Sequence, residues 1–198
     1  MVRTEKIIEE MAEILLINDV YIKKYTNING AVDPNLLYPA IYLAQDKHLS
    51  PYLGTALYEK IKDDILNNTL AGAYLILVED YARRVVLWWS MVEAAPTLTY
   101  KVDNGTMVQR TSEDSQPVGD IIFKDQLARW QQNAEYYTGL MVDWLCANSS
   151  SLPEYSNNQW PQRPPITNQK HSASYIFSSG NTPSSRTGYY YRSINQIP

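Results

Sequence analysis

One cysteine, Cys146, in 198 residues excludes an internal disulfide framework and fits a reducing compartment. Histidine is almost as scarce. His48 lies in a helical stretch and His171 far down the chain, and with Cys146 they make no metal-ligand spacing. Only eight glycines are present, with no GxGxxG, no P-loop and no serine elbow, so no nucleotide site is expected. The longest apolar run, "VVLWWSMV" at 85–92, is too short to span a bilayer, and Glu93 closes it. The start, "MVRTEKIIEEMAEILLIND", carries glutamates where a signal peptide needs a plain apolar stretch. Neither membrane insertion nor export is expected. No catalytic constellation, metal set or cofactor motif emerges, and Cys146 near a helix end reads as a small buried residue.

Charge is unevenly placed. Residues 1–148 hold 13 Lys and Arg against 20 Asp and Glu, a net of −7. Residues 149–198 hold Arg163, Lys170, Arg186 and Arg192 against Glu154 alone, a net of +3. A free nucleic-acid binder would show a basic face, which an acidic body lacks. A basic tail can lie along a neighbour's acidic surface, or it can simply stay solvated.

The body reads as mainly α. In 4–18, Ile7, Ile8, Met11, Ile14 and Leu15 recur at helical spacing, with Thr4 as N-cap. Asp33-Pro34 is a cap followed by a first-turn proline, opening a helix to about Leu49 with Leu37, Ile41 and Ala44 inward; Pro39 should kink or restart it. Ser50-Pro51 repeats the start signal and Gly54 ends that short turn. A helix over about 55–67 uses Leu57, Tyr58, Ile61 and Ile65. The next runs from about Gly72 to Ala95 and should stop at Pro96. Glu79–Arg83 and Asp80–Arg84 are i,i+4 pairs on its solvated face, and 85–92 is apolar all round. That half is either the central helix or meets another subunit. Trp88 and Trp89 point about 100° apart, one for the core and one for an interface.

Residues 97–111 change period. Asp103-Asn104-Gly105 is a turn signal between strand-like runs carrying Tyr100, Val102, Met107 and Val108, which reads as a projecting β-hairpin. A last helix, about 118–147, has Ile121, Ile122, Leu127, Trp130, Tyr137, Leu140, Met141, Trp144 and Leu145 on its apolar side. From Ser149 the chain is rich in proline and serine, with anchors at Trp160, Tyr175, Ile176, Phe177, Tyr189, Tyr190 and Tyr191, and Arg192 beside them. Such a segment cannot offset its own ordering entropy. The expected organisation is therefore a helical bundle of four to five helices over 1–148, with a hairpin at 97–111. Residues 149–198 would be an extended arm ordered by chains other than its own body.

Two stretches add a resemblance. "LLYPAIYLAQDKHLSPYLGTALYEKIKDDI", 36–65, resembles the opening of helical head-to-tail connector proteins of tailed bacteriophages: a helix carrying A-Q, a P-x-L-G turn, then an L-Y-x-x-I helix. "QRTSEDSQPVGDIIFKDQLARWQQNAEYYTGLMVDWLCANSSSLPEY", 109–155, resembles a branch found in phages of Bacteroides-type hosts, the crAss-like phages included. The resemblance implies a structural virion protein made in the host cytoplasm, in a ring of twelve copies beneath the portal. Its partners would be its own copies, the portal protein, the next tail or neck ring and genomic DNA passing through without sequence-specific binding. It implies neither an enzyme nor a membrane protein. The partner-binding candidates are Trp88, Trp89, Tyr100, Asp103, Asn104, Gly105, Met107 and the arm residues just named. Two other classes stay open. One is a DNA-binding accessory protein using Arg83, Arg84 and the basic tail, and the other a small helical enzyme in which Glu79, Asp80 and His48 converge.

Overall fold

The first helix among the described residues is capped by a residue that periodicity would assign to a helix end. Asn18 accepts a hydrogen bond from the Tyr21 amide at 2.9 Å and opens α1, Asp19–Tyr25. The computed structural model of the chain describes residues 13–28, 30–103, 106–109, 119–156 and 163–167. Of the helix expected over 4–18, residues 1–12 lie outside the described residues, and 13–18 are irregular chain with Leu16 and Ile17 buried. Those apolar side chains are buried without a helix because side chains of the body take up the backbone's hydrogen bonds, as described below.

Helix α2, Pro34–Ala44, starts as its sequence indicates: Asp33 accepts from the Asn35 amide at 2.9 Å, and Pro34 fills the first turn. Pro39 does not break it. Its ring is on the exposed side, where solvent can take the carbonyl it leaves unbonded. The helix widens into a π turn, Gln45–Leu49, and continues as α3, Ser50–Leu53. Gly54, at φ +76°, ends it in a backbone region that disfavours any other residue. Helix α4, Thr55–Leu66, buries Leu57, Tyr58 and Ile61.

A second rod combines α5, Gly72–Ile76, a π turn, Leu77–Ala82, and α6, Arg83–Thr99. It does not stop before Pro96 as expected but continues through it to Thr99. Pro96 is exposed, and the Thr99 hydroxyl donates to the Ala95 carbonyl at 2.8 Å. Residues 97–99 are thus helical, and strand pairing begins only at Tyr100. Strands β1, Tyr100–Asp103, and β2, Thr106–Gln109, pair antiparallel with Tyr100 opposite Gln109 and Asp103 opposite Thr106. Asn104, Gly105 and residues 110–111 lie outside the described residues.

Helix α7, Asp120–Ala147, spans roughly 42 Å at 1.5 Å per residue. Its two halves differ. Ala134, Thr138, Met141, Val142 and Leu145 are buried, whereas nothing from Ile121 to Asn133 is. α6 is the central helix, packed against α2 and α7, with Val85, Val86, Leu87, Ser90 and Met91 buried. The apolar stretch 85–92 lies in this central helix, with Trp88, Trp89 and Val92 half-buried. Burying a Leu or Met of this layer contributes about 1.5–3 kcal/mol.

The body does not end at 148. After a 3₁₀ turn, Ser149–Ser151, Leu152 is fully buried and α8, Pro153–Ser156, adds buried Tyr155 to the core. The Tyr74 hydroxyl donates to Glu154 at 2.5 Å and ties α5 to α8. Residues 163–167 also lie on their own body. An arm ordered only by other chains is therefore wrong for 149–156 and 163–167; 157–162 and 168–198 lie outside the described residues. Cys146, read as buried, is exposed, 4.0 Å from the Tyr155 hydroxyl.

Candidate functional site: two clasps and the exposed apolar faces

The stretch 45–55 holds both described ends of the chain. Gln45 is buried in the first π turn. Its Oε1 accepts from the Leu16 amide at 2.6 Å, and its Nε2 donates to the Ile14 carbonyl at 3.0 Å and to the Tyr58 hydroxyl at 3.4 Å. A π turn carries one residue more than an α turn, and such turns recur at functional positions. Arg83 Nε completes the hold by donating to the Leu16 carbonyl at 3.1 Å, while its guanidinium also pairs with Glu79. Lys62 reaches Glu13 at 3.3 Å.

The second clasp is the turn Pro51–Thr55. The Thr55 amide donates to the Arg163 carbonyl at 3.1 Å, and the Ile166 amide donates to the Pro51 carbonyl at 2.9 Å. The Arg163 amide donates to the Thr55 hydroxyl at 3.1 Å. A Cβ on Gly54 would lie 3.0 Å from Pro165 Cδ and N and 3.1 Å from the Arg163 carbonyl oxygen.

Between the clasps, His48 stacks on Trp89, with ring centres 3.7 Å apart and planes 3° from parallel. Its Nε2 lies 2.7 Å from Glu93 Oε1, which also accepts from Lys47 at 2.8 Å. Trp89 Nε1 donates to Thr138 at 3.0 Å, so the cluster joins α2's π turn, α6 and α7. Burial holds the His48 imidazolium below its ordinary range, and the bond and charge of Glu93 only partly offset that. Burial pushes the Glu93 carboxyl up, yet Lys47 and His48 together leave it below the usual carboxylate value.

The geometry redistributes the sequence-derived candidates. Trp89 is committed within its own chain, and Trp88 is half-buried. Tyr100 and Asp103 open and close β1 and Met107 lies in β2. Asn104, Gly105, Trp160, Tyr175, Ile176, Phe177, Tyr189, Tyr190, Tyr191 and Arg192 lie outside the described residues. His48 is partnered by Glu93 and Glu79 by Arg83, while Asp80 is exposed; the structure does not assemble Glu79, Asp80 and His48 as one constellation. Arg84 lies 6.0 Å above the Tyr137 ring. Among the described residues no group of three or more His, Cys, Asp and Glu is placed to hold a metal ion. No described helix is long and apolar enough to cross a membrane.

Two apolar faces are open on different helices. On α2 they are Tyr38, Tyr42 and Leu43, and on α7 Ile121 and Ile122, 78% and 64% exposed. Periodicity puts Ile121 and Ile122 on the apolar side of α7, and the structure leaves them exposed. Periodicity identifies the apolar side of a helix but not how far its partner extends.

A family model described as "Family of unknown function (DUF6712)" matches residues 49–164, more than half of the chain. The chain belongs to that family. The DUF6712 match begins just before the Pro51–Thr55 turn and ends within the segment docked on it. Neither curated proteins nor solved structures give a match.

Proposed function

We propose that this chain is a structural subunit of a phage neck: one copy in a ring of twelve that sits beneath the portal, joins it to the tail and surrounds the passing DNA. The observation that carries the reading is the start of α7, where Ile121 and Ile122 are exposed and, among the described residues, none before Ala134 is buried. Burying each contributes about 1.5–3 kcal/mol to an interface. A ring contact is heterologous and needs two different surfaces on each copy. The α7 aliphatics and the Tyr38, Tyr42 and Leu43 face of α2 supply two. The mainly helical body and the resemblance of 36–65 and 109–155 to connector proteins support the same reading. In it, the hairpin projects to touch a neighbour, and the chain beyond Thr167 reaches the portal or the next ring. An acidic body lining a channel repels DNA and lets it slide.

The test is mass in solution by light scattering, followed by electron microscopy. A closed ring of about twelve chains is expected, with negligible DNA binding at moderate salt. A stable monomer over the micromolar range, in the presence and absence of portal protein, would overturn it. Salt-sensitive DNA binding by the isolated chain would favour the accessory-protein class.

A further inference from the structure

We propose that the turn Pro51–Thr55 is a peptide-docking site that takes residues 163–167 from a second copy of this chain as well as from its own. The site reads backbone. Arg163 and Ile166 each have an amide, and both are bonded to the turn; Pro164 and Pro165 between them have none to satisfy. Every backbone donor from 163 to 166 is therefore used or absent. The two prolines also restrict the free segment, so docking orders less chain.

The turn is matched to this ligand. Gly54 occupies the N-cap position of α4, so the Thr55 amide, first in the helix, has no acceptor within it and must find one outside. The Arg163 carbonyl is that acceptor. The absence of a Cβ at Gly54 admits Pro165 at a distance a side chain would block.

The docked segment is not part of the core. None of residues 163–167 is buried, whereas Leu152 and Tyr155 just before it are. It can leave without opening the apolar interior. Seven residue steps separate Ser156 from Arg163, a reach of at most about 25 Å. Any copy whose Pro51–Thr55 turn lies within that distance of Ser156 offers the same bonds, and exchange between identical sites costs little. The presence of such a neighbour rests on the ring reading.

The experiment uses the full chain with Cys146→Ser, since Cys146 is exposed. Thr55→Cys and Arg163→Cys proteins are made separately, mixed, assembled and oxidised. Disulfide-linked pairs of chains are expected, absent when either protein is oxidised alone. In parallel, a labelled peptide of residues 161–168 is titrated by anisotropy against full chain carrying Pro164→Gly and Pro165→Gly. Saturable binding is expected, weakened at least ten-fold by Gly54→Ala. Thr55→Val, which keeps the turn but removes the hydroxyl acceptor, should weaken it several-fold and serves if Gly54→Ala fails to fold. Assembled chains with no cross-links between copies and no peptide binding would overturn the docking site while leaving the ring reading intact. A monomer that binds the peptide in this way would overturn the ring and support the docking site.

Discussion

The two ends that meet on residues 45–55 are held by opposite means. The incoming segment, 13–17, is fixed by side chains of the body: Gln45 and Arg83 take both backbone groups of Leu16, and Leu16 and Ile17 are buried. The outgoing segment, 163–167, is fixed by backbone and a threonine hydroxyl, and stays at the surface. The first is bound into the core and the second is laid upon it. A buried amide that serves three partners cannot be undone in part, whereas a surface docking can open alone. The incoming segment should therefore share the global stability of the fold, and the outgoing one should have a local stability of its own.

The largest expected effect is at Gln45. Gln45→Leu leaves the Leu16 amide and the Ile14 carbonyl without their partner, at about 1–3 kcal/mol for each buried group. Urea denaturation should show a lower midpoint at unchanged slope, equivalent to a stability loss of about 2–6 kcal/mol. A loss below about 1 kcal/mol would break the distinction between the two ends.

Next is Gly54→Ala. Holding alanine at φ +76° costs about 1–3 kcal/mol, and its Cβ meets Pro165. Hydrogen exchange sharpens the contrast: the Thr55 and Ile166 amides should lose protection while the Leu16 amide keeps it. Joint loss at all three would mean that the ends open together.

The His48 cluster anchors the chain between the clasps to α6, so its titration should reach both. The folded imidazole titrates below the unfolded value of about 6.5. In the window between these two values the unfolded chain binds more protons, so stability falls as pH falls. Below the window the loss is complete. The depressed Glu93 carboxyl adds a separate decline at lower pH. Stability measured from pH 8 to 5 should decrease, and His48→Gln should flatten the upper part of that decline. An unchanged profile in the variant would assign the decline to other groups.

The smallest effect on folding belongs to the exposed start of α7, at Ile121 and Ile122. Ile121→Ser with Ile122→Ser should change monomer stability by no more than about 0.5 kcal/mol. The same pair should shift the assembled mass sharply downward. Unchanged mass would remove these residues from any contact between copies.

What the sequence made legible was local. Asp33 with Pro34 and Gly54 after a short turn each work through nearest-neighbour backbone chemistry, and each lies where its type predicts; of the Asp103-Asn104-Gly105 signal only Asp103, at the end of β1, lies within the described residues. Inward faces such as Leu37, Ile41 and Ala44 followed from period alone. Failures occurred where solvent or distant chain decides. Pro39 and Pro96 face water, so the helices pass through them. The serine-rich composition after Ser149 marked a tail, yet Leu152 and Tyr155 fill the core. Neither clasp could be read, because Gln45 meets a segment about thirty residues away and Gly54 one more than a hundred away. The motifs A-Q and P-x-L-G were visible as patterns; their physical content is the pair of segments they hold.

The π turn at Gln45–Leu49 has one further consequence. Its closing bond runs from the Ser50 amide back to the Gln45 carbonyl, one residue further than in an α-helix. Deleting one residue within it would give a more regular helix and shift the phase of everything after it by about 100°. Gln45 would keep its direction while Gly54 swung to another side of the body. The irregular turn acts as a phase setter: it aims two receptors, nine positions apart on one rod, at segments arriving from opposite ends of the chain.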